Sequence, residues 1–158
     1  MALTIGINTF TTLDEADAYF ADRLYSEDWE NADTEDRERA LRMAARVMNR
    51  LPWHGSLTSD SQVMAWPRQG IVDRERRAVA VTTTPQDIKD AQCELALAFI
   101  REDLTGDDSN RGVKRIKAGS VEMEYNGQAP DKALPDVVLE LLNHYLRPAP
   151  SGAAPLRF

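Results

Sequence analysis

The sequence predicts a mostly α-helical fold, a small bundle of about four helices with one projecting β-hairpin, a long extended loop and an extended C-terminal tail. Three observations predict it. Apolar residues recur at helical spacing in four separate stretches, one short stretch alternates with strand periodicity, and two segments fit neither pattern. A chain of 158 residues is the length of one ordinary domain, and 42% hydrophobic with 28% charged residues is the balance of a soluble globular protein.

The first helix is expected over residues 13–24. Thr12 and Glu15 form a T-x-x-E capping box, and Leu13, Ala16, Phe20 and Leu24 follow at helical intervals. A second begins near Thr34, with Glu35 and Asp36 at the positive end of its dipole. Its apolar stripe runs through Ala40, Leu41, Ala44, Val47, Met48 and Leu51 until Pro52 stops it, and Arg37, Arg39, Arg42, Arg46 and Arg50 occupy other positions. The third has Thr84 as N-cap and Pro85 at its first position. Ile88, Ala91, Leu95, Ala98 and Phe99 line one face, and Cys93, Leu97, Ile100 and Leu104 another, so it belongs at the centre of the bundle. The fourth starts at Leu134-Pro135-Asp136, carries Val138, Leu141, Leu142 and Tyr145 on one face, and ends before Pro148. Between the last two, Val121, Met123 and Tyr125 alternate with Glu122 and Glu124, and Val113 to Lys117 can pair with them across Ala118-Gly119.

The loop over 53–83 is longer than structureless connections usually run in a compact domain, which marks it as functional or mobile. The tail over 147–158, rich in Pro, Ala and Gly, cannot be a helix and ends on the apolar Leu156 and Phe158.

Chemistry is mostly missing. The lone Cys93, in an apolar helical run, reads as a small buried hydrophobe, and it excludes an internal disulfide or a cysteine-rich metal site. His54 and His144 stand in separate contexts, without HExxH or H-x-E neighbours, so no zinc ligand set is expected. No GxSxG elbow, phosphate loop or GxGxxG turn occurs, and no cofactor is expected. Adjacent carboxylates (Asp14 and Glu15, Glu27 and Asp28, Glu102 and Asp103, Asp107 and Asp108) read as helix starts and solvated faces rather than a glycosidase pair. Asp107 to Asn110 lacks the glycine and glutamate of a calcium loop. The expectation is a protein that is not an enzyme.

A net charge of -7 disfavours broad binding to a polyanion, although a local basic patch remains compatible with it. Arginines of the second helix can pair with neighbours, as Glu35 with Arg39 and Glu38 with Arg42. Trp53 and Trp66 offer rings that stack on bases or, on the favoured reading, pin the loop to the bundle or to a neighbouring subunit. Met1 to Phe10 has no signal-peptide pattern and no stretch is long enough to span a bilayer, so a soluble protein made in a cytoplasm, with no membrane partner, is expected.

The long loop carries a pattern. Trp53-His54-Gly55, Gln62, Ala65-Trp66-Pro67-Arg68-Gln69-Gly70 and Asp73 resemble the W-x-G, Q-x-x-x-W-P-R-x-G, D signature of bacteriophage head–tail connector (head completion, adaptor) proteins. Thr84 to Ala91 with Glu94 to Leu97 resembles that family's proline-started central helix, and Val113 to Arg115 with Val121 to Tyr125 resembles its hairpin. The helix of Asp14-Glu15-Ala16 to Phe20 and that of Ala44-Ala45-Arg46 match in kind. The resemblance spans residues 4–146, with the WPR segment its most specific part; the departure is Arg74-Glu75-Arg76-Arg77, where relatives usually have a glycine-containing turn. Relatives of this kind are often labelled DnaT-like single-stranded-DNA-binding proteins, which makes that activity the alternative reading.

The resemblance implies a single helical adaptor domain over 1–146 (loop 53–83, hairpin 113–125) and a C-terminal arm over 147–158. It implies a structural virion protein of the neck, assembled in the host cytoplasm, that docks on the portal ring after DNA packaging and forms the platform for tail attachment. Its expected partners are other copies of itself in a ring of about twelve, the portal protein, and a tail or neck protein. Genomic DNA would pass through the channel without sequence-specific binding. Trp53, Gln62, Trp66, Pro67 and Arg68 are then loop or inter-subunit anchors, with Arg68 expected to pair with a carboxylate. Trp66 capping its own core is an equal reading. Pro155, Leu156, Arg157 and Phe158 form the portal-docking arm, a free end in the isolated protein being equally open. Lys114, Arg115, Lys117, Glu122 and Glu124 lie on a hairpin facing the channel or the tail.

Overall fold

A computed structural model describes residues 1–102, 116–118, 121–123 and 134–148. Five α-helices dominate it: α1 (Leu13–Ala21), α2 (Glu27–Asn31), α3 (Thr34–Met48), α4 (Gln86–Arg101) and α5 (Asp136–Leu142), the last continued by a 3-10 turn over Asn143–Tyr145. Strands β1 (Ser56–Leu57) and β2 (Arg68–Gln69) pair antiparallel within the long loop, as do β3 (Ile116–Ala118) and β4 (Val121–Met123) further on. The mostly helical class and the small hairpin expected from periodicity are both present.

The capping box of α1 is formed: the Glu15 amide donates to Thr12 Oγ1 at 3.1 Å, and the Thr12 amide to Glu15 Oε2 at 3.0 Å. This helix ends three residues earlier than its apolar spacing suggests. Leu24 lies beyond it and is largely exposed, because Arg23 turns away to bind Glu94. Trp29 of α2, a helix the periodicity did not reveal, is buried against Phe20 and donates to Asp17 at 2.8 Å. α3 is capped by Asp33, whose carboxylate accepts from the Asp36 amide, and it buries Ala40, Leu41, Ala44, Ala45 and Met48.

α4 packs against α1, α2, α3 and α5, the central position that two apolar faces require. Pro85 is its N-cap rather than its first helical residue, since an extended ψ of 149° holds it outside the helix. Cys93 is buried on α4, and burial pushes its thiol well above the ordinary range. Fully buried Gln92 meets all its partners: its Oε1 accepts from the Phe10 amide, and its Nε2 donates to Thr9 Oγ1 and the Leu41 carbonyl, each within 2.9 Å. That side chain ties the N-terminal segment to α3 through the centre of the bundle. Among the described residues, no helix is long and apolar enough to cross a membrane.

Candidate functional site

Residues 53–83 connect α3 to α4, and the short antiparallel pair of β1 and β2 lies within them. Trp53 stands just past α3 and donates Nε1–H to the Met48 carbonyl at 2.9 Å. Its ring meets Trp66 edge-to-face at 5.5 Å, and Trp66 meets Tyr145 in the same way at 5.7 Å. The three rings bury large apolar area with the T-shaped geometry their quadrupoles favour. Trp53 and Trp66 are only 2% and 1% exposed, and the Trp66–Pro67 peptide is cis. Trp66 Nε1 has no hydrogen-bond partner among the described residues.

Arg68 is 8% exposed. The carboxylate expected for it is replaced by three backbone carbonyls: Nε donates to His54 at 2.6 Å, and the terminal nitrogens donate to Gly55 at 3.0 Å and Ala65 at 3.1 Å. The reason lies in the planar fork of guanidinium donors, which can satisfy several carbonyls of a turning backbone at once. Burial, and then the nearby charge of Arg147, draw the Arg68 pKa below its ordinary value. Gln62 works at the other end of the loop. Its Nε2 donates to the Met64 and Pro67 carbonyls at 2.7 and 2.8 Å, while its Oε1 accepts from the Thr58 amide and hydroxyl.

Gly55 is required where β1 meets β2. Its φ is +67°, and a Cβ there would stand 2.2 Å from the Gln69 carbonyl oxygen. Further along, Arg76 adopts φ +62°, a left-handed conformation that glycine takes at no steric cost. Asp73 makes this possible by accepting from the amides of Glu75 and Arg77, both at 2.9 Å, and from the Arg77 side chain at 2.8 Å.

The chain after α5 closes over this platform. His54 N–H donates to the Tyr145 carbonyl at 2.9 Å, Arg147 N–H to the Pro52 carbonyl at 2.8 Å, and Arg147 Nε to the Trp53 carbonyl at 3.0 Å. Sequence reading placed Arg147 at the start of the tail and did not foresee this closure, because a fastening between residues 52–54 and 145–147 leaves no local pattern. It also left the two histidines apart, whereas His54 and His144 line one cleft of about 420 Å³ with Ile71, Val72 and Tyr145. His144 Nε2 lies 3.0 Å from the Val72 carbonyl. Burial, and then the Asp87 carboxylate, push the Tyr145 phenol up.

Other candidate residues separate from this cluster. Lys117 and Glu122 are register partners in the β3–β4 hairpin. Lys114, Arg115, Glu124, the arm residues Pro155, Leu156, Arg157 and Phe158, and the Asp107 to Asn110 stretch lie outside the described residues. On α3, Arg39 pairs with Glu35 at 2.7 Å and Arg42 with Glu38 at 3.3 Å, and Arg37 reaches Asp17 at 2.9 Å. Among the described residues, no three His, Cys, Asp or Glu side chains are grouped to hold a metal ion.

A family model described as "Putative DnaT-like ssDNA binding protein" matches residues 2–157. No curated protein and no solved structure matches the chain.

Proposed function

The chain belongs to that DnaT-like family, and from this premise we propose that it is a structural, non-enzymatic assembly protein, the head-to-tail adaptor of a bacteriophage neck. It docks on the portal ring after DNA packaging, associates with further copies of itself, and presents the platform to which a tail or neck protein attaches.

One observation carries the reading: the signature residues are consumed in architecture. Trp53, Gln62, Trp66 and Arg68 knit the loop into a platform, and the chain running to the arm is bonded to that platform at Tyr145 and Arg147. A platform fastened at Tyr145 and Arg147 suits a protein that docks on a neighbour. The net charge of -7 suits a wall past which DNA slides.

Single-stranded DNA binding is the second reading, favoured by the family's description. Sequence-tolerant binding of that kind uses exposed aromatic faces and a basic groove. Here all three tryptophans are buried, and Arg37, Arg39 and Arg42 of α3 are engaged by carboxylates. Cryo-electron microscopy of the virion neck separates the two. Density for this chain in a ring between portal and tail is expected. Its absence from mature particles, with tight and steeply salt-dependent binding of labelled single strands by the purified chain, would reverse the order of the readings.

A further inference from the structure

The turn after α1 combines a firmly held backbone with side chains left in solvent. Leu24 and Tyr25 are 78% and 75% exposed. Arg23 grips buried Glu94 with two prongs, at 2.6 and 3.0 Å, and turns its remaining nitrogen to the Leu24 and Tyr25 carbonyls at 2.9 and 3.1 Å. Arg101, at the end of α4, donates to the same Tyr25 carbonyl at 2.7 Å while its Nε holds Asp28. Tyr25 itself adopts φ +61°, a conformation unfavourable to a residue with a side chain. Two guanidiniums and a buried carboxylate therefore fix a strained turn that displays a leucine and a tyrosine. Scattered exposed apolar residues are ordinary, but a strained and anchored pair is preorganised for contact.

A receptor of matching chemistry lies at the other end of α4. Asp87, in its first turn, receives Arg74 at 3.2 Å and the Tyr145 hydroxyl at 3.4 Å, beside the cleft of His54, His144, Ile71 and Val72. A rise of 1.5 Å per residue puts the two ends of α4 about 20 Å apart. Their charges oppose once the internal pairs are set aside. Around the turn Arg23 is paired with Glu94 and Arg101 with Asp28, which leaves Asp22, Glu27 and Glu30. Beside the cleft Arg74 is paired with Asp87 and Arg77 with Asp73, which leaves Arg76 and Arg147 against Glu75.

We propose that Leu24 and Tyr25 of one copy insert into the His54–His144 cleft of another, so that the chain associates head to tail. The tyrosine ring enters among the imidazoles and Tyr145, and the leucine packs on Ile71 and half-exposed Val72. Because projection and cleft lie at opposite ends of α4, a bound pair keeps one of each free and growth continues, closing to a ring where the rotation allows. This deepens the self-association proposed above and rests on that reading only for closure into a ring.

The test uses the purified full chain at high concentration. Sedimentation should show oligomers for the wild type and monomers for Tyr25→Gly and Val72→Asp, each with helical circular dichroism retained; His54→Glu serves as a second cleft variant. Mixing Tyr25→Gly with Val72→Asp should give dimers and nothing larger, since one intact projection and one intact cleft remain. A photocrosslinking benzoylphenylalanine at position 25 should label residues 70–77 or 144–147 of another copy. Wild-type assembly by Tyr25→Gly, a mixture that stays monomeric, or labels confined to α3 would overturn the proposal. A neck lacking the chain would sink the adaptor reading and leave these results standing, whereas a neck ring with other interfaces would overturn only the insertion.

Discussion

Gly55 and Arg76 both hold positive φ, and they predict opposite responses to exchange. Gly55→Ala drives a methyl against the Gln69 carbonyl, which only a backbone shift can relieve, and should cost about 3 kcal/mol. Arg76→Gly removes a side chain from a conformation that costs it roughly 1–2 kcal/mol, partly offset by the freer unfolded chain, and should stabilise by up to about 1 kcal/mol. Urea denaturation midpoints check both signs. At this scale the sequence was informative about identity but not about partners. Trp53, Trp66 and Arg68 stand out in the loop as anchors, yet nothing local says that Arg68 would bind carbonyls of residues 54, 55 and 65. The burial of Gln92 and Glu94 was not legible, because a polar residue on a helix usually faces water, and only the packing of four helices around α4 buries them.

Among the elements, α1 depends most clearly on charge. Partial burial opposes ionisation of Glu15, but hydrogen bonds from Lys89, the Thr12 amide and Thr11 hold its pKa at about 2, below the ordinary 4.5. A lowered folded-state pKa means that the unfolded chain binds more protons between those values. The stabilisation is thus complete above pH 4.5 and is lost as pH falls towards 2. Glu15→Gln can still complete the capping box, so it isolates the ionisation. Acid titration of its thermal midpoint should show a shallower fall across that window than the wild type. The helices themselves were legible because apolar residues recur every three or four positions, in one stripe along α3 and on two faces of α4. α2 was not, since its five residues complete barely more than one turn and Trp29 is its one buried side chain. The β1–β2 pair was equally hidden, with two residues a strand and Gly55 and Arg68 beside it supplying the order.

For the whole molecule, the burial of Trp29, Trp53 and Trp66 sets an optical expectation. Native emission should be blue-shifted and weakly quenched by acrylamide, and single-stranded oligonucleotides should leave it unchanged. Quenching on DNA addition would return the rings to a stacking role. The overall architecture was readable from four periodic stretches and one alternating one. The long-range closure was not, because it joins residues 52–54 to 145–147 through backbone groups that every sequence possesses.

That closure also acts as a clasp. The His54 N–H on the Tyr145 carbonyl, and Arg147 on the Pro52 and Trp53 carbonyls, fasten two segments far apart in the sequence, with 94 positions separating Trp53 from Arg147. Closing so wide a loop carries a cost in chain entropy, which the helices packed between the two segments have to offset. The clasp is therefore a seal on a finished fold and not a nucleus for it.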